Sequence, residues 1–321
     1  MRRPQDVKDG RQPRVPAAAQ DHHANPHVAD APSHVASGLS VLPTVSPCHP
    51  HSIPRQTPPP RPGKVLVEQD GPVLRIALNR PEKANAIDSD MITSLSYALT
   101  RLSDDAALRV AVVYGNGAHF TGGLDLASLA PRLATGGDGL IPDGGRDPWG
   151  MYGKPASKPV VTAVHGRCFT AGLELVLNSE LCVAADNTVF GQQEVTRGIV
   201  ALGGGTVRLP HRVGWGNAMR YLLTGDQFDA QEALRMGVVQ EVVPAGEQQD
   251  RALELAQRIA RQAPLAVQAT LADARVALAG TIAASATSLR GEVGPRLFAT
   301  ADAAEGIAAL VERRTPVYKG A

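Results

Sequence analysis

The apolar residues of this chain recur with two different spacings, and each spacing predicts a type of element. Val65–Glu68 and Val73–Leu78 are short apolar runs on either side of Asp70-Gly71, which predicts two strands joined in a β-hairpin. Asp88 precedes a segment in which apolar residues recur with helical spacing, so we expect a helix capped by Asp88. The apolar face of that helix is formed by Met91, Leu95, Leu99 and Leu102.

Strands and helices continue to alternate in the middle of the chain. Apolar runs at Arg109–Tyr114, Val160–Val164 and Leu181–Ala185 predict buried strands, and a helix is expected to begin near Gly172. This order implies parallel pairing through right-handed crossovers, and hence an α/β fold. Residues 130–158 are rich in Gly and Pro and lack periodicity, which predicts a long loop of the kind that covers a site.

Beyond about residue 205 the pattern becomes mostly helical. Asp229 and Glu232 form a capping box, and Gly237 is expected to end the helix that they begin. One more strand is expected at Val238–Val243. Further helices are expected over residues 247–262, 265–279 and 282–298, with a last one from Asp302 to Arg313-Arg314. Residues 263–321 are therefore predicted to form a helical C-terminal subdomain.

Residues 1–62 differ in composition from the rest of the chain. They hold 13 of the 25 prolines and six of the nine histidines, and they contain no Phe, Trp or Tyr. A segment so poor in large apolar groups cannot offset the entropy cost of ordering, so we predict a disordered extension ahead of an α/β core over residues 63–262. The histidines are irregularly spaced, which favours incidental usage over a metal-binding tract.

Composition and charge disfavour several classes of function. The formal net charge is +1, divided into +3 on residues 1–62 and −2 on the remainder, which argues against a nucleic-acid binder. No apolar run approaches the length of a membrane span. The three cysteines are widely spaced, which argues against a disulfide scaffold and fits a reducing compartment such as the cytoplasm. No metal site is expected, because the histidines of the folded part are too scattered to form a cluster.

Two turns of small residues are the first candidates for chemistry. Phe120-Thr-Gly-Gly-Leu-Asp125 follows one predicted strand, and Phe169-Thr-Ala-Gly-Leu-Glu174 follows another and leads into a helix. Small residues let another group approach the main chain, and a helix N-terminus presents unpaired N–H groups. Two such turns side by side could direct two N–H donors at one oxygen, as in an oxyanion hole. They could equally serve close packing of strand and helix, and the residues alone leave both interpretations open.

Two glutamates stand out because their neighbours are apolar. Glu174 lies in the run Leu173-Glu-Leu-Val-Leu177, and Glu194 follows Phe190-Gly-Gln-Gln. An acid in an apolar environment is costly unless it is paired or functional. Each could be a salt-bridged structural acid or an acid–base catalyst.

The chain from about Lys64 to Ala321 resembles the crotonase superfamily, the enoyl-CoA hydratase/isomerase proteins, in the order and spacing of its motifs. The matching segments are Leu78–Ile87, His119–Leu126, Lys158–Gly166, Ala171–Leu175, Phe190–Glu194, Gly203–Leu209 and Ala301–Arg314. The resemblance implies a crotonase-like α/β fold, in which repeated ββα units form a spiral, with a helical C-terminal subdomain. It also implies assembly through that subdomain as a homotrimer or a dimer of trimers.

The resemblance also assigns roles to particular residues. The catalytic acids would be Glu174 and Glu194, the oxyanion hole would be the N–H groups of Leu124 and Ala171 with Gly123 and Gly172, and the CoA contacts would be Lys83, Ala84 and Ala86. The second donor position is usually Gly in the family and is Ala171 here, which keeps the N–H but crowds the approach. This departure bears on the acyl group that the site accepts.

The activity implied is that of an enoyl-CoA hydratase, which adds water across C2=C3 of an enoyl-CoA thioester to give a 3-hydroxyacyl-CoA. CoA is then part of the substrate, and no cofactor is required. A double-bond isomerase on the same scaffold stays open, although the extra Asp of the dienoyl-CoA isomerases is replaced by Leu202 here. A non-catalytic CoA-binding or interaction protein is a third possibility, which the presence of both acids disfavours.

Overall fold

A computed structural model describes residues 63–262, 264–272, 274–275, 287, 290–291 and 294–317. The predicted disordered extension lies outside these residues, as do parts of the helices expected at 265–279 and 282–298. The predicted domain boundaries therefore stay predictions. In the part of the chain that is described, no helix is both long enough and apolar enough to cross a membrane.

The strands of the described residues form two sheets. In chain order they are β1 (Val65–Asp70), β2 (Val73–Leu78), β3 (Val110–Gly115), β4 (Val160–Val164), β5 (Arg167–Phe169), β6 (Leu181–Ala185), β7 (Val189–Gly191), β8 (Gln227–Asp229) and β9 (Glu241–Val243). The larger sheet has the order β1-β2-β3-β4-β6-β9, and the smaller has the order β5-β7-β8. The predicted hairpin of β1 and β2 is antiparallel, and the other pairs of the larger sheet are parallel, as the alternation of elements predicted.

Two helices pack against opposite faces of the larger sheet, Ser89–Asp104 on one face and Gln248–Ala260 on the other. In chain order, the helices whose two ends are described are α1 (Ser89–Asp104), α2 (Leu126–Ala134), α3 (Ala171–Asn178), α4 (Gly205–Val213), α5 (Trp215–Thr224), α6 (Ala230–Met236), α7 (Gln248–Ala260), α8 (Gly294–Phe298) and α9 (Ala301–Glu312). Because successive strand residues point to opposite faces, each strand serves two cores. Leu74 and Ile76 pack in the core that holds α1 and α3, whereas Val110 and Val112 pack against the alanines of α7.

The predicted caps explain where several helices begin. Asp88 accepts a hydrogen bond from the backbone N–H of Met91 at 3.0 Å, and Asp229 accepts one from Glu232 at 2.8 Å. The last helix begins at Ala301 and not at the predicted Asp302. Thr300 caps α9 by accepting from the N–H of Ala303, so the helix begins before Asp302.

The long loop predicted over residues 130–158 begins later than expected. Helix α2 continues to Ala134 and contains Pro131, which lies inside the predicted loop. Leu129 and Leu133 are buried on one side of α2, and this burial stabilises the helix despite the proline. From residue 135 to Pro159 the described chain has no strand or helix, as predicted.

The smaller sheet places the two glutamate segments next to each other. Its strands have three residues each, which is too short for a periodic signal in the sequence. Strands β5 and β7 pair in parallel, with Phe169 opposite Gly191. Since parallel strands end at the same edge of a sheet, the chain segments beginning at Thr170 and Gln192 leave this sheet side by side.

Candidate active site

A cavity of about 610 Å³ lies beside the ends of β5 and β7. Helices α2 and α8 and the loop after α2 form much of its wall. Most of the lining is apolar and includes Leu129, Leu133, Leu140, Ile141 and Phe298. Glu174 and Glu194 both contribute to the lining, so the structure brings the two predicted acids to one cavity.

The two turns of small residues lie side by side. Thr121 and Cys168 form a parallel β-bridge between them. Gly123 has a φ of +100°, and a Cβ atom there would collide with the side chain of Thr170. A Cβ atom on Gly172 would collide in the same way with the methyl group of Thr121. Gly123 and Gly172 are therefore each required because the other turn lies so close. The two glycines serve close packing, which was one of the two interpretations of these turns.

This packing leaves one backbone N–H of each turn free. Leu124 forms a parallel β-bridge with Ile87. The two hydrogen bonds of this bridge use the carbonyl of Gly123 and the N–H of Asp125, so the N–H of Leu124 itself points away from Ile87. Ala171 is the first residue of α3, where N–H groups have no acceptor within the helix. Neither N–H has a hydrogen-bond partner among the described residues, and both residues line the cavity.

The residues predicted to contact CoA lie on an adjoining turn, outside the lining of the cavity. These residues are Lys83, Ala84 and Ala86. The turn is held by the buried amide of Asn85, which donates to two backbone carbonyls at 2.8 and 2.9 Å. The N–H of Gly122 donates to the carbonyl of Ala84 at 2.8 Å and joins this turn to the Leu124 turn. The predicted CoA contacts therefore lie next to a turn that lines the cavity, and their role stays a prediction.

Glu174 lies in the first turn of α3, one helical turn after Ala171. Its side chain is 3% exposed, and its Oε1 accepts the N–H of Gly205 at 2.9 Å. A Cβ atom on Gly203 would crowd the same carboxylate. The glycine run at residues 203–205 is therefore needed because it brings backbone N–H groups up to a buried acid.

Glu194 begins a 3-10 turn, Glu194–Arg197, that follows β7. Its Oε1 accepts a hydrogen bond from the side-chain amide of Gln192 at 2.9 Å. Its Oε2 is buried and has no protein partner among the described residues. One oxygen of this acid is thus fixed by the protein, and the other is available to a group in the cavity.

The two acids have shifted pKa values and influence each other. Burial raises the pKa of Glu174 to about 7, against the hydrogen bond from Gly205 and the charge of Arg208, which favour the ionised form. Burial also raises the pKa of Glu194 well above its ordinary value, and the charge of Glu174 raises it further. Because a charge on one acid opposes a charge on the other, the pair loses its two protons in separate steps. Glu174 is the more acidic member.

A segment of the long loop, residues 147–153, contacts the first residue of α3 and the chain just before the glycine run at residues 203–205. Asp147 is 1% exposed and accepts four backbone N–H groups at 2.9–3.1 Å, from Trp149, Met151, Tyr152 and Gly153. The indole N–H of Trp149 donates to the carbonyl of Ala171 at 2.9 Å. The hydroxyl of Tyr152 donates to the carbonyl of Leu202 at 2.9 Å. Sequence reasoning missed these residues because a loop without periodicity gives no sign of its distant contacts.

The fold is that of the crotonase-type α/β enzymes. The chain belongs to the enoyl-CoA hydratase/isomerase family, whose model matches residues 68–321. The predicted family and fold class are confirmed. This family acts on acyl-CoA thioesters.

Individual relatives agree with this assignment. The chain is 38% identical over 258 residues to a carnitinyl-CoA dehydratase of Proteus mirabilis, covering 78% of this chain and 96% of the relative. A solved structure of a probable enoyl-CoA hydratase/isomerase from Mycobacterium abscessus is 46% identical, with a TM-score of 0.65, and covers 80% of this chain and 99% of that chain. A carnitinyl-CoA hydratase from Mycobacterium avium is 32% identical, with a TM-score of 0.71, and covers 80% and 99% of the two chains.

Proposed function

We propose that this protein catalyses the reversible addition of water to C2=C3 of a 2-enoyl-CoA thioester, which gives a 3-hydroxyacyl-CoA. The observation behind this proposal is the pair Glu174 and Glu194, two buried acids with different environments at one cavity. A hydratase needs one group that accepts a proton from water and one that donates a proton to carbon. Two acids whose pKa values are held apart can fill these two roles.

The proposed division of labour follows from the surroundings of each acid. Glu174 ionises first because a backbone N–H and a nearby guanidinium favour its charged form, so it is the proton acceptor. It removes a proton from water as the water oxygen bonds to C3. Glu194 stays protonated and donates its proton to C2. The proton taken by Glu174 and the proton lost by Glu194 balance, and solvent exchange restores the starting pair.

The negative charge that develops during this addition resides on the thioester oxygen. In the proposed mechanism the N–H groups of Leu124 and Ala171 bind that oxygen and form the oxyanion hole. Donors that already point at the developing charge lower the barrier, because no reorganisation is needed during the reaction. Their freedom from other hydrogen bonds in the described structure supports this role.

A second candidate is the dehydration of an acyl-CoA that bears a positive charge, as the names of the carnitinyl-CoA relatives suggest. The 38% identity to a carnitinyl-CoA dehydratase over almost the whole length of that relative supports this candidate.

A substrate panel with product identification separates these possibilities. The panel contains crotonyl-CoA, longer 2-enoyl-CoAs, 3-enoyl-CoAs and carnitinyl-CoA, with the products resolved by mass spectrometry. We expect 3-hydroxyacyl-CoA from the 2-enoyl substrates in water, with a gain of one water mass. Turnover of carnitinyl-CoA alone would favour the second candidate, and conversion of 3-enoyl to 2-enoyl-CoA without hydration would favour an isomerase. No turnover of any member would contradict an enzymatic role on these thioesters.

A further inference from the structure

The peptide that joins Thr170 to Ala171 has an unusual backbone conformation. Thr170 has φ 48° and ψ −114°, a combination that residues with a side chain rarely adopt. Such a conformation persists only where the surrounding contacts determine it. The orientation of this peptide also sets the direction of the Ala171 N–H, so the contacts that hold it determine where that donor points.

Besides the hydrogen bonds within α3, three hydrogen bonds hold the two residues. The N–H of Thr170 donates to the carbonyl of Gly191 at 2.8 Å, and the carbonyl of Thr170 accepts the N–H of Glu174 at 3.0 Å. On the other side, the carbonyl of Ala171 accepts the indole N–H of Trp149 at 2.9 Å. The first two bonds join main-chain groups, whereas the third comes from a side chain and can be removed by substitution.

Trp149 is itself fixed by burial and by hydrogen bonds of its neighbours. Its side chain is 8% exposed, and its backbone N–H donates to the carboxylate of Asp147 at 2.9 Å. The next residue, Gly150, accepts a hydrogen bond from Arg208 at 3.2 Å. Because Arg208 also donates to the carbonyl of Gly203, it joins the chain beside Trp149 to the glycine run that supports Glu174.

We propose that Trp149 is a positioning residue, whose indole N–H holds the carbonyl of Ala171 and thereby aims the Ala171 N–H at the thioester oxygen of the substrate. This inference rests on the proposed oxyanion hole. It extends that proposal by assigning a function to the loop segment at residues 147–153. The alternative is a purely structural role, in which the indole only fills space beside Gly203.

The two tryptophans of the chain allow a matched set of variants. Trp149→Phe keeps an aromatic ring and removes the N–H. Trp149→His is also smaller than tryptophan but can place its Nε2–H where the indole N–H was. Trp215→Phe is the control, because Trp215 is 73% exposed. A structural role predicts that histidine is no better than phenylalanine, whereas a hydrogen-bonding role predicts that histidine is better.

Acetoacetyl-CoA provides a readout of the N–H donors that does not depend on turnover. Its enolate has a near-ultraviolet absorption band of its own, and donors aimed at the oxygen lower the apparent pKa at which the bound compound ionises. We expect Trp149→Phe to reduce the enolate fraction and to lower kcat roughly 3- to 10-fold, the factor of a single hydrogen bond, with KM nearly unchanged. Trp149→His should recover part of both losses, and Trp215→Phe should match the wild type.

Equal enolate fractions in the wild type and Trp149→Phe would overturn the proposal, and so would equal losses in the two variants at position 149. If neither variant folds, the Trp215→Phe protein has Trp149 as its sole tryptophan, and its indole proton can be followed by NMR. Slow hydrogen exchange of that proton is expected, and fast exchange would overturn the proposal.

A wild-type protein that stabilises the enolate but hydrates no enoyl-CoA would refute the proposed function alone. A wild-type protein that does not stabilise the enolate would refute the present inference.

Discussion

Glu174 and Glu194 have the same side chain, and their neighbours make them different acids. Glu174 accepts a backbone N–H and lies near the guanidinium of Arg208, whereas Glu194 accepts a side-chain amide, lies near the guanidinium of Arg197 and has a second oxygen without a protein partner in the described chain. Desolvation disfavours the charged form of both acids, and at Glu194 the charge of Glu174 raises the pKa further. One ionised and one protonated acid is therefore the state that we expect to be active.

This state predicts how kcat/KM depends on pH. The value of kcat/KM should rise as Glu174 ionises, with a limb near its pKa of about 7, and should fall at higher pH as Glu194 loses its proton. Steady-state assays from about pH 5 to pH 10 test this prediction. The apparent pKa values that they give describe the two coupled acids together. In Glu194→Gln the alkaline limb should disappear from the residual activity. A wild-type kcat/KM that is constant over the whole range would contradict the assignment.

The same titration predicts how stability depends on pH. The folded pKa of Glu174 is above its unfolded value of 4.5, so the folded protein binds more protons than the unfolded chain between about pH 4.5 and pH 7. The free energy of unfolding should therefore fall as pH rises through this window. Urea unfolding at about pH 5 and pH 8 measures the difference, which should shrink in Glu174→Gln. An unchanged difference in this variant would show that other groups cause the pH dependence.

At the scale of elements, the last helix supports the segment that contains Glu194. Helix α9 crosses the 3-10 turn Glu194–Arg197, with Gly306 so close that a Cβ atom there would collide with the backbone of Arg197. Gly198 on the turn has a φ of +67° and approaches the backbone of Asp302. Both glycines let two backbones meet, so the position of Glu194 depends on the C-terminal part of the chain.

We expect Gly306→Ala to disturb the site from outside the cavity. The added methyl group must push α9 away from Arg197, which should destabilise the protein by about 1–3 kcal/mol and lower kcat by displacing Glu194. Thermal unfolding and steady-state kinetics measure the two effects. Gly216→Ala in α5 is the control, because a Cβ atom there meets nothing and alanine favours a helix. A Gly306→Ala protein with wild-type stability and kcat would contradict this packing.

Elements with a local signal were predictable from the sequence, and elements that depend on distant contacts were not. The caps at Asp88 and Asp229 lie within three residues of the N–H groups that they accept, so their patterns are visible in a short window. The position of Trp149 depends on Ala171, which is 22 residues away, and on a loop without periodicity. Helix α2 was not predicted, because its stability comes from burial of Leu129 and Leu133, which outweighs the effect of Pro131.

At the scale of the whole molecule, the acids were predictable by residue type and by family resemblance, but their different environments were not. That difference requires the N–H of Gly205, Arg208 and the amide of Gln192, which reach the two acids from other segments. The predicted trimer or dimer of trimers, the domain boundaries and the CoA contacts remain predictions. The N-terminal extension is the part of the chain for which composition makes the clearest prediction.

We expect deletion of residues 1–62 to leave kcat and melting temperature almost unchanged. This segment has few large apolar groups, so it cannot contribute much buried surface to the rest of the chain. Differential scanning calorimetry and steady-state kinetics of the full chain and of a chain beginning at Gly63 test the expectation. A clear loss of either quantity on truncation would refute the prediction of a disordered extension.

The central claim is that Glu174 and Glu194 act together on an enoyl-CoA, and a kinetic double-mutant cycle tests it most directly. Glu→Gln keeps the shape of the side chain and removes the exchangeable acid, so folding should be preserved. We predict that each single variant lowers kcat for enoyl-CoA hydration by roughly 10²–10⁴-fold, the usual contribution of general acid–base catalysis. The double variant should lose far less than the product of the two effects, because the acids act as a unit, with KM nearly unchanged. Wild-type turnover in both single variants on every enoyl-CoA tested would contradict the account.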